Sequence, residues 1–157
     1  MNEVTIASRL AATSEVLWEH LSSLEGVNRE LWPVCRMTYP RWAPRFTPET
    51  VAPGKTMFRS WMLLFGFLPF DYDDLCLVRL DPGRGLLERS SLASQKVWEH
   101  ERTLTPCEGG CELRDRLRFE PRLAWLAAPS RLIVRLLFAH RHRRLRVIFG
   151  ELRGGIS

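Results

Sequence analysis

Lysine is nearly absent from this chain: Lys55 and Lys96 are the only two in a basic complement of 23 residues, the rest being arginine. A long apolar run is missing as well. The longest, Trp61 to Phe70, is about half of what a membrane-spanning helix needs. The first residues, MNEVTIASRL, lack a basic region followed by an apolar core, so no signal peptide is expected. The four cysteines (Cys35, Cys76, Cys107, Cys111) contain no CxxC pair and face no matching histidine pair, which argues against a zinc site. Without a secretory signal, reduced thiols and a cytoplasmic location are expected, even with Cys107 and Cys111 close in sequence. There is no Gly-x-Ser-x-Gly, no phosphate loop and no Gly-rich dinucleotide turn, and no cofactor is expected. Asp71 and Asp73 project to one face of a strand and Asp74 to the other, with no calcium-loop glycine or glutamate behind them. Glu99-His100-Glu101 alternates faces in the same way, so no metal is expected.

What is present fits one domain spanning residues 1–157, long enough to bury about two-thirds of its unfolded surface. Hydrophobic content of 45% and charged content of 26% are ordinary for a globular protein. The net charge of +5 is spread along the chain, with one dense run at His140–Arg146. Scattered arginine reads as solubility and salt bridging rather than a nucleic-acid surface.

Residues 3–10 alternate as a strand. Thr13 or Ser14 caps a helix to about Leu24, with Val16, Leu17, Leu21 and His20 on one face. Glu25-Gly26-Val27-Asn28 reads as its break, followed by one more turn to Trp32. Four prolines between Met37 and Pro53 make that stretch extended or looped, with at most a short strand near Cys35–Tyr39. Five strands follow, at Lys55–Phe65, Asp71–Leu80, Gly85–Leu92, Val97–Thr105 and Cys111–Glu120. On the first of these Trp61, Leu63 and Phe65 share a face with Met57 and Arg59, as core or as cavity lining. The order is α+β: helices segregated to one face of an antiparallel sheet.

Gly109-Gly110 read as the turn of the last hairpin put Glu108 opposite Cys111, Arg102 opposite Leu117 and His100 opposite Phe119. On that register Trp98, His100, Arg102 and Leu104 share a concave face with Leu113, Asp115, Leu117 and Phe119. Glu99, Glu101, Thr103, Arg114, Arg116 and Arg118 occupy the solvated face. Two readings of His100, Arg102 and Asp115 stay open: a buried ion pair with a satisfied histidine, or groups that orient a ligand in an apolar pocket.

The last element is a helical pattern from Pro129 to Leu152, roughly 33 Å at about 1.5 Å per residue, with Gly154-Gly155 as its stop. Leu132, Ile133, Leu136, Leu137, Val147 and Ile148 form one apolar arc, flanked by Val134, Phe138 and Leu145. His140 lies within the arc and Arg144 near it, while Arg131, Arg135, His142 and Arg146 fall on the water side. A helix this apolar calls for a concave partner, which the strands can supply.

Trp98-x-His100, the Gly-Gly turn, Asp115-Arg116-Leu117 before Pro121, and Phe138-x-His140-Arg141-His142 resemble bacterial cyclase/dehydrase-like members of the SRPBCC superfamily. That superfamily is the helix-grip group of START domains, Bet v 1 allergens and polyketide cyclases. The resemblance implies a curved antiparallel sheet wrapped around the long C-terminal helix, with a cavity between them for an apolar or amphipathic molecule. It implies a pocket lined by Trp98, His100, Arg102, Asp115, Leu117 and His140, to which the facing patterns add Trp61, Phe119, Leu136 and Arg144. The expected function is small-ligand binding by a monomer or homodimer, with no nucleic acid and no stable membrane insertion. The alternatives are a cyclase/aromatase-type enzyme using His100 as base with Arg102 and Asp115, and an interaction module whose cavity has collapsed.

Overall fold

The structure, a computed structural model, describes residues 1–153. Strand β1 (Asn2–Leu10) opens the chain. Thr13 Oγ1 then accepts the Val16 amide at 3.3 Å and caps helix α1 (Ser14–Leu21). Ser23 Oγ accepts the Gly26 amide at 2.9 Å and caps helix α2 (Leu24–Leu31). The expected break at Glu25–Asn28 is therefore replaced by a second cap two residues earlier, and α2 runs through it. Gly26 serves close approach: a Cβ there would lie 2.0 Å from the His20 carbonyl oxygen.

Strands β2 (Cys35–Met37), β3 (Thr56–Leu64), β4 (Leu68–Asp81), β5 (Gly85–Leu92), β6 (Gln95–Cys107) and β7 (Gly110–Pro121) follow. They form a seven-stranded sheet in the order β1-β7-β6-β5-β4-β3-β2, antiparallel throughout. The sheet curls as a half-barrel around helix α3 (Ala127–Phe149), which enters from a 3-10 turn at Ala124–Leu126. No helix among the described residues is long and apolar enough to cross a membrane. All four cysteines are free thiols.

The β6–β7 hairpin turns at Glu108-Gly109, not Gly109-Gly110. Gly109 takes a φ of 82°, while Gly110 pairs with Cys107 inside the ladder. A Cβ on Gly110 would meet the Leu10 carbonyl oxygen at 1.9 Å, so β1 demands glycine there. Arg102 thus opposes Asp115, and His100 opposes Leu117. The shift is two residues, an even number, so the inward face keeps its members. On the outer face Glu99 opposes Arg118 and Glu101 opposes Arg116.

Helix α3 is turned away from the expected orientation. Leu132, Ile133, Leu136 and Val147 are exposed, and the inward stripe is Val134, Phe138, Arg141, His142 and Leu145. His142, expected in water, has no exposed surface. Val134 and Phe138 pack on Val4, Leu117 and Phe119, and Leu145 packs on Leu10, Leu17 and Leu113. Arg141 and His142 fill the gap between those two apolar contacts because carboxylates await them there. The helix ends at Gly150 (φ 82°), whose amide donates to Arg146 O at 2.9 Å. The expected stop at Gly154-Gly155 lies outside the described residues. Beyond Gly150 the chain returns to β1, with Leu152 N donating to Arg9 O at 3.0 Å.

Gly26 supplies a test of sign. Helix propensity alone makes Gly26→Ala stabilising by about 1 kcal/mol. The approach to His20 O makes it destabilising instead, by more than about 1 kcal/mol, as read by urea denaturation.

Candidate functional site

Alternation along β6 points Trp98, His100, Arg102 and Leu104 inward, and β7 answers with Asp115 opposite Arg102. The Arg102 guanidinium donates to Asp115 through Nε (2.6 Å) and Nη2 (2.7 Å). Its Nη1 reaches Glu30 Oε1 on α2 at 3.0 Å. From α3, Arg141 Nη2 meets the same Glu30 oxygen at 3.2 Å. His20 Nε2 on α1 lies 3.3 Å from Glu30 Oε2 without hydrogen-bond alignment. Asp115 also takes His100 Nε2 at 2.7 Å and His142 Nε2 at 2.8 Å. His142 Nδ1 in turn bonds Ser8 Oγ at 2.8 Å, and Arg146 Nη1 donates to that hydroxyl at 3.0 Å. On the cavity side of His100, Nδ1 lies 3.5 Å from Glu88 Oε2. Glu88 Oε1 accepts Ser90 Oγ at 2.7 Å and Trp98 Nε1 at 3.0 Å.

Burial opposes charge on Glu30, Glu88, His100, Arg102 and Asp115, and their partners overcome it. For Glu30, burial raises the carboxyl, yet Arg102, Arg141 and His20 bring it down to about 2. Asp115 is likewise held well below the carboxylate range by Arg102 and His100 against its burial. Burial would strip the His100 proton, but Asp115 and Glu88 raise its affinity above the ordinary imidazole value. Glu88 is lowered despite burial, chiefly by His100. Asp73 goes the other way: burial and the neighbouring Glu88 charge raise it well above the usual range.

The cluster forms one wall of a cavity between the sheet, α2 and α3. Leu24, Leu31, Leu75, Leu77, Leu86 and Phe138 make most of the rest, and Asp73, Glu88, His100, Arg102 and Arg141 its polar part. The cavity volume is about 90 Å³. That is room for a few water molecules or one small ring, below the roughly 300 Å³ at which drug-sized sites begin.

Of the expected pocket residues, Trp98, His100 and Arg102 line this cavity. Asp115 sits behind them, in contact with His100 and Arg102. Leu117 and Phe119 are fully buried in the packing against Val134 and Phe138 instead. Trp61 is on the outer face, edge-on to Tyr72, because Arg59 on the same side pairs with Asp74 and lies over the Tyr72 ring. Its neighbour Met62 faces the cavity. Leu136 is exposed. His140 is half-exposed, with Nε2 3.0 Å from Trp32 O, and Arg144 donates to Arg29 O at 3.2 Å, both outside the cavity. Asp73, Glu88 and Arg141 on the cavity wall, and Glu30 and His142 in the charged cluster behind it, are the residues that sequence reasoning did not place at the site. The strand alternation that points Asp73 inward was a usable signal, since Asp71 and Asp73 are both buried while Asp74 pairs outside.

A half-barrel sheet closed by its C-terminal helix, with a cavity between, is a START-like helix-grip fold. The chain belongs to the DUF8410 family, a domain of unknown function, whose family model matches residues 8–149. No curated protein sequence matches the chain. Among solved structures it is similar to protein CV1439 from Chromobacterium violaceum: TM-score 0.73 at 15% identity, over 96% of this chain and 99% of that one. The AHSA1 protein from Silicibacter pomeroyi gives 0.69 at 14% identity, over 94% and 96%. A START superfamily protein from Mycobacterium smegmatis gives 0.66 at 10% identity, over 94% and 96%. At these identities the likeness is one of fold.

Removing Asp115 strands Arg102, His100 and His142 together. Asp115→Ala is expected to cost about 3–5 kcal/mol in urea unfolding. The acid limb carries a second test. Glu30 and Asp115 bind protons less readily when folded, so their stabilisation is present above the unfolded carboxylate range. For Glu30 it is lost as pH falls from about 4.5 toward about 2. Glu30→Gln removes its share, so urea midpoints against pH should be flatter over that interval.

Proposed function

We propose that this protein acts as a single domain that binds a small apolar or amphipathic molecule in the cavity between the sheet, α2 and α3. The observation behind the reading is the division of the cavity wall. One side is aliphatic, and the other is a set of charged groups whose ion pairs, apart from Asp73, are already made within the protein. Such a wall keeps its geometry when a neutral guest arrives, because no pair has to be broken to admit it. The volume selects a compact molecule, or the end of a longer one.

The cyclase reading requires His100 as a free base. Both of its ring nitrogens face carboxylates, at 2.7 Å and 3.5 Å, and the same carboxylates favour its protonated form. A histidine so held has no open lone pair for a substrate proton, and binding is the better reading. The interaction-module reading draws on the small cavity volume and on the exposed Leu132, Ile133 and Leu136 of α3.

Leu137→Trp separates the two. Leu137 is half-buried on α3 at the cavity wall, so an indole there fills the space with little disturbance of the core. Native mass spectrometry with organic extraction, followed by a melting-temperature panel of small apolar compounds, identifies a binder. The variant should bind that compound at least about tenfold more weakly, about 1.4 kcal/mol, while keeping its own melting transition. An apo mass with no compound raising the melting temperature would shift the reading to protein interaction.

A further inference from the structure

Asp73 projects from β4 into the cavity and is 5% exposed. Its Oδ1 is buried and meets no hydrogen-bond donor. Every other polar group on that wall is occupied. Arg102 is divided between Asp115 and Glu30, and Arg141 is held by Glu30. His100 lies between Asp115 and Glu88, and Glu88 Oε1 is filled by Ser90 and Trp98. Asp71, two residues earlier on β4, is bonded by the Ser94 hydroxyl and by the Ser94 and Tyr72 amides.

Asp73 and Glu88 are both buried and both line the cavity, where like charges disfavour each other. Glu88 is the ionised member, since His100, Ser90 and Trp98 all favour its charge. Burial and the Glu88 charge raise the Asp73 carboxyl well above the usual range, and its Oδ1 faces the cavity without a donor. Arg102 is already paired with Asp115 and Glu30, Arg141 with Glu30, and His100 lies between Asp115 and Glu88. A neutral donor is then the group that completes the wall, because a charged one would unbalance it.

We propose that Asp73 Oδ1 is the recognition point for the hydroxyl of a small apolar alcohol or phenol held in this cavity. The inference rests on the cavity-binding reading and names the chemistry of its guest. A hydroxyl supplies the donor that Oδ1 lacks, an apolar analogue leaves it unsatisfied, and an anionic analogue meets the carboxyl pair.

Isothermal titration of the full chain with 4-ethylphenol, ethylbenzene and 4-ethylbenzoate tests this. The phenol is expected to bind at least about tenfold more tightly than ethylbenzene, and the benzoate not at all. Asp73→Asn keeps a carbonyl oxygen at this position without a titratable proton, so it should retain the preference. Asp73→Leu removes the acceptor and should bring the phenol down to the level of ethylbenzene. Equal binding of phenol and ethylbenzene by the unaltered chain, or a preference that survives Asp73→Leu, overturns the assignment and leaves cavity binding standing. Binding of none of the three overturns both.

Discussion

Arg102 carries a charge into the interior, where burial alone is expensive, and the fold is arranged around answering it. A single buried ion pair commonly fails to recover the desolvation of its two members. Here Arg102 is shared between a bidentate Asp115 and Glu30, and each carboxylate is engaged again by groups from other elements. The network joins β6 to β7, then α2, α3, α1 and finally β1 through Ser8. These six elements meet at a common point with little exposed surface, so displacing any of them uncovers a charge. Apolar packing stabilises the interior without direction. The ion pairs add direction.

That constraint explains the orientation of α3, which apolar periodicity alone gets wrong. The arc richest in leucine and isoleucine is on the outside, and the inward stripe contains an arginine and a histidine. A hydrophobic-arc argument scores His142 as a solvent residue and does not single out Arg141, because the groups that make them interior residues are far away in sequence. Glu30 is 111 residues from Arg141, and Ser8 is 134 from His142. Glu30 has no local mark of burial either. It lies on a helix among Leu24, Val27 and Leu31, and its role exists only once Arg102 arrives.

Strands were more legible. Side-chain direction depends only on parity, so the two-residue error in the β6–β7 turn left Trp98, His100, Arg102 and Asp115 on the concave side. The same parity put Asp71 and Asp73 on one face and Asp74 on the other, and the structure makes the first of these the inward one. It failed to identify the face of β3, where Arg59 and Trp61 face Asp74 and Tyr72 outside while Ser60 and Met62 turn in. Glycines misled for a related reason. Gly26 and Gly110 read as interruptions, yet both lie inside regular elements where another backbone comes within about a Cβ radius.

The two sides of the cavity differ in what they resist. The polar wall is held by directional bonds between several elements, so moving one group strains the others. The opposite side includes Met37, Met62 and Leu137, which are half-buried and make packing contacts without polar anchors. Methionine has flexible torsions and a polarisable sulfur, so this side can conform to different shapes at low cost. β2, which carries Met37, is a three-residue edge strand paired on one side only. Specificity for a polar group therefore belongs to the rigid wall and tolerance of shape to the soft one. A cavity of about 90 Å³ on such a boundary is limited less by the ion cluster than by how far those side chains and Leu137 yield.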